Sequence, residues 1–137
     1  LRGMMGCMTS GYGRERLEAS CTALVDAALA YQRQDGCFSW QLEALEGPAD
    51  TSAAGMICCA LGQGMALDVL AGEKYENALA AGRHALERSV RNGLVYQCSG
   101  ECEGFSQYPQ RYGAYPWSLG PALEALSSDT ARACAGE

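Results

Sequence analysis

The sequence predicts an all-α protein whose helices form two layers, an outer one facing solvent and an inner one enclosed by its neighbours. Three observations support this. Apolar residues recur at helical spacing in four segments. Two of those segments carry charge along one side, while a third carries none. No stretch reads as a long alternating strand. Unlike helices alternating between wet and buried fit a toroid better than a plain bundle, whose helices would be more alike.

The first helix is expected over about residues 14–34, with Leu17, Cys21, Leu24, Ala28 and Tyr31 forming its apolar stripe. Gly36, after Gln34-Asp35, suits the left-handed position beyond a helix end. The second is expected over about residues 52–70. Asp50, Thr51 or Ser52 can cap it, and its positive end would favour an anion nearby. From Thr51 to Leu67 it has no charge and is crowded with Ala, Gly and Cys, so it should be walled in. The third, about residues 73–91, aligns Tyr75, Leu79, Gly82, Leu86 and Val90, and Asn92-Gly93 stops it. The fourth begins near Trp117-Ser118 and carries Leu119, Leu123 and Leu126. Gly93 to Tyr96 can form a short extended piece.

At 137 residues the chain is one domain or a piece of one. It starts at Leu1, and its first residues already read as domain interior, so a piece is expected. The net charge of −6, from 10 Lys+Arg against 16 Asp+Glu, argues against nucleic acid as a partner. The longest apolar stretch is too short to span a bilayer, and no charged block reads as a membrane-surface patch. The eight cysteines include the adjacent pair Cys58-Cys59 inside an apolar run, a poor disulfide framework. Reduced thiols and a cytoplasmic location are the expectation.

Between Asn92 and Trp117 lies a long connection holding Tyr96, Phe105, Tyr108, Tyr112, Tyr115 and Trp117. Long connections in small domains tend to be functional or disordered, and this one has too many aromatic anchors for disorder. Aromatic rings beside Arg111 suit a sugar site, because rings stack on pyranose faces and a guanidinium grips a carboxylate in a fork. The same rings can equally plug one end of a helical core. Trp40 can line that mouth or pack against a loop. Asp50-Thr51-Ser52 is first of all a cap. Cys98 and Cys102 have the spacing of half a zinc site, but the other half is missing, so no metal is expected. His84 is the sole histidine and lies off the apolar face of its helix, which leaves no nucleophile–histidine arrangement. Glu101, Glu103 and Asp35 are loop acids, with nothing to fix their separation.

Three segments, in order and spacing, resemble the unsaturated glycuronyl hydrolases, glycoside hydrolase families 88 and 105, which include unsaturated rhamnogalacturonyl hydrolases. They are Gln32-Arg33-Gln34-Asp35-Gly36-Cys37-Phe38, Asp50-Thr51-Ser52-Ala53-Ala54-Gly55-Met56 and the Tyr112-to-Leu123 stretch containing Tyr115-Pro116-Trp117-Ser118-Leu119-Gly120-Pro121. The resemblance implies an (α/α)6 barrel, with residues 1–137 as its C-terminal portion. It implies hydration of the 4,5 double bond of unsaturated galacturonyl or glucuronyl oligosaccharides left by polysaccharide lyases. An aspartate protonates one ring carbon, water adds at its neighbour, and the hemiketal opens to release the sugar; one carboxylate suffices. No metal or organic cofactor is implied. The general-acid Asp is expected upstream of residue 1, because Arg2-Gly3-Met4-Met5-Gly6 echoes only faintly the segment that follows it in such enzymes. Trp40, Arg111, Tyr112, Tyr115 and Trp117 are carried as the substrate-binding lining. Two other readings stand beside this one. One is a non-catalytic helical domain binding carbohydrate or a partner chain. The other is a terpenoid-cyclase-like toroid, suggested by a single Gln32-x-x-x-Gly36-x-Phe38 repeat.

Overall fold

The computed structural model describes residues 1–101 and 111–134, with side chains to residue 127. Helices α1 (Arg2–Thr9), α2 (Arg14–Leu29), α3 (Thr51–Ala66) and α4 (Glu73–Ser89) are followed by two small hairpins and by α5 (Pro116–Cys134). Strands β1 (Val90–Arg91) and β2 (Leu94–Val95) pair antiparallel, as do β3 (Cys98–Ser99) and β4 (Tyr112–Gly113).

Helix α3 is the charge-free helix of the sequence, and α1, α4 and α5 pack around it. Its small residues set the approach. A Cβ on Gly55 would lie 2.9 Å from Pro121 Cβ of α5, and one on Gly82 of α4 would lie 2.4 Å from Cys58 Sγ. Leu61, Ala54 and Cys58 are sealed from solvent between these neighbours. The enclosure has three sides. Elsewhere on α3, Met56 is 43% exposed, while Ala53 and Ile57 are half-buried against the core.

Helix α4 buries the stripe its sequence predicts, Tyr75, Leu79, Gly82 and Leu86, but ends at Ser89. Val90, expected to continue that stripe, is 41% exposed because the backbone turns there into β1. The Asn92-Gly93 turn has positive φ at both residues, 52° and 76°, the geometry that closes a two-residue hairpin and pairs Val90 with Val95. Helix α2 is rotated from the expected stripe. Cys21 and Val25 are buried, whereas Leu24 is 47% exposed.

Two further helices end earlier than periodicity suggests. Helix α2 stops at Leu29, and the Gln32 side chain is drawn to the Gly36 and Ala78 carbonyls at 3.0 and 2.9 Å, tying the turn to α4. Gly36 is required there: φ is +83°, and a Cβ would lie 2.2 Å from the Ala81 carbonyl oxygen. Helix α3 stops at Ala66, where Asp68 takes the left-handed conformation (φ 56°) and the Val69 and Leu70 N–H groups both reach the Gly64 carbonyl.

The six cysteines whose side chains are described, Cys7, Cys21, Cys37, Cys58, Cys59 and Cys98, are free thiols. Burial pushes Cys58 up to about 12 and Cys37 and Cys59 up to about 11, so these behave as small apolar groups rather than nucleophiles. No helix among the described residues is long and apolar enough to cross a membrane.

Candidate functional site

The N-terminus of α3 is the anchor of the site. Asp50 is its N-cap, and Oδ1 accepts from the Ser52 backbone N–H at 3.0 Å and the Ser52 hydroxyl at 2.8 Å. The same oxygen accepts the Ser99 N–H of β3 at 3.3 Å. Thr51 adds two more ties to the segment before β3. Its N–H reaches the Gln97 carbonyl at 3.0 Å and its hydroxyl reaches the Tyr96 carbonyl at 3.0 Å.

From the other side, α5 holds the same segment. Pro116 begins the helix, where its missing N–H costs nothing. The Ser118 hydroxyl donates to the Val95 and Tyr115 carbonyls, and Trp117 Nε1 donates to the Ser99 carbonyl at 3.0 Å. The Trp117 ring stacks on Tyr115, with centroids 4.8 Å apart and planes within 4°. Gly100 fits beneath this stack, since a Cβ there would lie 3.1 Å from the Tyr115 hydroxyl.

Tyr112 sits opposite Ser99 in the β3–β4 pair. Burial, and then the charge of Asp50, push its hydroxyl above the ordinary phenol range, so it is neutral and able to donate. Three of the sequence-predicted site residues, Tyr112, Tyr115 and Trp117, therefore gather around one two-residue strand. Arg111 adjoins them through its backbone, its carbonyl accepting the Gly100 N–H at 2.8 Å. Its side chain is exposed and makes no hydrogen bond or ion pair among the described residues. Trp40 is half-buried one residue beyond the Ser39–Ala49 bridge, and no described contact joins it to the other four. Phe105 and Tyr108 of the aromatic connection lie outside the described residues, as does Cys102 of the half zinc site.

Ser99 was not a candidate from the sequence. It becomes central because residues far apart in the chain converge on its N–H and carbonyl, and no local pattern signals that. Among the described residues no group of three or more His, Cys, Asp or Glu is placed to hold a metal ion. A separate cleft of about 540 Å³ is lined by Asp26, Leu29, Gln32, Lys74, Asn77 and Ala78, between α2 and α4.

No protein-family model matches the chain, and no curated protein matches it. Solved structures do. One is described as a possible member of the GH105 family from Salmonella enterica subsp. enterica serovar Paratyphi A str. ATCC 9150. It aligns at TM-score 0.77 and 13% identity over 88% of this chain and 33% of that one. A second possible GH105 member, from Klebsiella pneumoniae subsp. pneumoniae MGH 78578, aligns at TM-score 0.76 and 16% identity over 88% and 34%. At these identities the likeness is one of fold. The chain has the architecture of part of a helical α/α barrel, and spans about a third of the length of the structures it matches.

Proposed function

We propose that the protein hydrolyses unsaturated uronyl oligosaccharides, hydrating the 4,5 double bond that lyases leave in galacturonyl or glucuronyl chains. The observation that carries this reading is the fold likeness to possible GH105 members over 88% of the chain, at TM-scores of 0.77 and 0.76. It is supported by the aromatic cluster at the α3 N-terminus, where the Tyr115–Trp117 stack offers a flat apolar surface for a sugar ring. In this reading Arg111 meets the uronate carboxylate, and Tyr112, Tyr115, Trp117 and Trp40 line the remainder.

The chemistry asks little of the lining residues. A proton is delivered to C4 of the vinyl ether, water adds at C5, and the hemiketal opens to release the next sugar. Burial of the double bond against aromatic rings limits competing solvent, and a single carboxyl group handles the proton. That group is an Asp ahead of Leu1 in this reading, with neither metal nor organic cofactor. The reaction is placed in the cytoplasm, a compartment in keeping with six free thiols.

The test is the ultraviolet absorbance of the conjugated double bond. Full-length protein mixed with lyase-generated oligogalacturonides or glycosaminoglycan disaccharides should bleach it with time. Binding without loss of absorbance would favour a non-catalytic carbohydrate-binding domain. Neither binding nor bleaching would overturn the carbohydrate reading.

A further inference from the structure

The β1–β2 hairpin leaves apolar side chains on a wet face. Arg91 pairs with Leu94 across the ladder, and Tyr96 follows Leu94 by two residues, so the pleat places all three on the same face. The pairing extends as far as Tyr96, whose N–H donates to the Ser89 carbonyl at 3.0 Å. On the opposite face Val95 is buried in the core. An antiparallel pair with one wet face ordinarily carries polar residues there. Here Leu94 and Tyr96 take those places, 45% and 37% exposed.

Arg91 supplies the charge. It is exposed and makes no hydrogen bond or ion pair among the described residues. The arginines just before it are engaged, Arg88 with the Asp35 carbonyl and Arg83 with the Ala125 carbonyl. A ring, an aliphatic side chain and an uncommitted guanidinium thus share one face, the same combination of groups as Tyr112, Tyr115 and Arg111. This face is also continuous with the site. The Tyr96 carbonyl accepts the Thr51 hydroxyl at 3.0 Å, and three residues later Ser99 takes the bonds of Asp50 and Trp117. Three residues reach at most about 11 Å, a span that a saccharide of a few rings can bridge. Tyr96 is tied through both of its backbone groups, so its main chain needs no ordering when a ligand binds.

We infer that Arg91, Leu94 and Tyr96 form an outer subsite for a further uronyl residue of an acidic oligosaccharide. The sugar ring lies over Leu94 and Tyr96, and the Arg91 guanidinium takes its carboxylate. This rests on the reading that the Tyr115–Trp117 stack takes the unsaturated end of the chain. It deepens that reading by making the preferred substrate longer than a disaccharide. Charge complementarity selects the occupant: a neutral sugar at this position gains the ring contact but not the ion pair.

Chain length separates this subsite from the first. The probes are lyase-generated unsaturated digalacturonate and tetragalacturonate, and the readout is kcat and KM for bleaching by the full-length protein. The wild type should have a KM for the tetrasaccharide about ten- to a hundred-fold below that for the disaccharide, the range for one charge-assisted contact, with kcat alike. Arg91→Ala should raise the tetrasaccharide KM towards the disaccharide value and leave kcat and the thermal midpoint unchanged, the pattern of lost uniform binding. Tyr96→Leu, which keeps the backbone bonds, should remove part of the same gain. Equal KM values for the two probes in the wild type, or a tetrasaccharide gain that survives in R91A, overturn the inference while bleaching of the disaccharide still supports the hydrolase reading. Equal losses for both probes in R91A overturn it as well, by assigning Arg91 to the first site or to the fold. A dimer that Leu94→Asp dissolves, with no tetrasaccharide gain in the wild type, assigns the face to a second copy and overturns it. If the wild type bleaches neither probe, the hydrolase reading fails and the inference falls with it.

Discussion

Asp50 and Trp117 meet on a single residue: the Asp50 carboxylate takes the Ser99 N–H at 3.3 Å, and the Trp117 indole donates to the Ser99 carbonyl at 3.0 Å. The opposite edge of that strand faces β4. A two-residue pairing is marginal alone. Here it is held along that edge by the N-terminus of α3 and by the first turn of α5, which fixes where Tyr112 and Tyr115 stand.

The Trp117 bond can be removed with most of the ring contact retained. Trp117→Phe keeps an aromatic ring to stack on Tyr115 but leaves the Ser99 carbonyl without its donor. The expected cost is about 1 kcal/mol from the hydrogen bond, plus a smaller loss from the reduced ring area. Urea denaturation followed by circular dichroism would measure it. A midpoint equal to wild type would mean that the indole N–H contributes nothing to holding β3.

The contact between α3 and α4 makes a sharper prediction. A Cβ on Gly82 would lie 2.4 Å from Cys58 Sγ, so Gly82→Ala overpacks a buried crossing and should cost about 1–3 kcal/mol. Cys58→Ala removes the obstructing sulfur. The double variant should therefore be more stable than the sum of the two single losses predicts, a coupling of about 0.5–3 kcal/mol for residues in contact. Additive losses in a double-mutant cycle would show that the helices do not meet there.

These examples also show why parts of the molecule were legible and parts were not. The burial of α3 was written in its lack of charge from Thr51 to Leu67, and the α4 stripe in the spacing of Tyr75, Leu79, Gly82 and Leu86. Those signals are local, and the tertiary fold agrees with them. The rotation of α2 was not legible, because Leu24 and Val25 are equally apolar and only the neighbours decide which of them is buried. The end of α3 was missed for a related reason. Asp68 adopts the left-handed conformation that glycine usually marks, and no glycine stands there. At the site, Tyr112, Tyr115 and Trp117 were recognisable as a cluster from their sequence proximity. Ser99 was not, since its role depends on α3, β3 and α5 converging.

The link between α2 and α4 should titrate. Asp26 accepts from Lys74 Nζ at 2.8 Å and from the Tyr75 hydroxyl at 2.9 Å. The Lys74 bond first, and then the Tyr75 bond, hold its carboxyl below the usual carboxylate range. A value lowered on folding means that the unfolded chain binds the proton more readily. The contribution of Asp26 is then fully present above its unfolded value of about 3.9, and it is lost as pH falls through the folded value. Lys74 is raised by the same bond, so its contribution is present below the ordinary lysine value and is lost as pH rises through the folded one. In Asp26→Asn the stability difference from wild type should be flat between roughly pH 5 and 9 and should shrink below about pH 3. Both groups are solvent-exposed, so the difference should be small and should fall further in high salt. A difference independent of pH would assign the link to Tyr75 packing rather than to charge.

Arg111 is the lining residue whose role is easiest to isolate, because its guanidinium makes no ion pair or hydrogen bond among the described residues and its backbone carbonyl supplies the link to Gly100. Arg111→Ala should leave the fold intact, since that carbonyl remains. If the guanidinium grips the uronate carboxylate, the variant of the full-length protein should bind an unsaturated uronyl disaccharide about ten- to a hundred-fold more weakly, the range for a charge-assisted hydrogen bond. Its affinity for the corresponding methyl ester, which is neutral at that carboxyl, should change far less. Raising the salt concentration should narrow the gap between wild type and variant for the acid and leave it unchanged for the ester. Equal losses for acid and ester would remove Arg111 from carboxylate recognition and leave the aromatic platform to bind the ring alone.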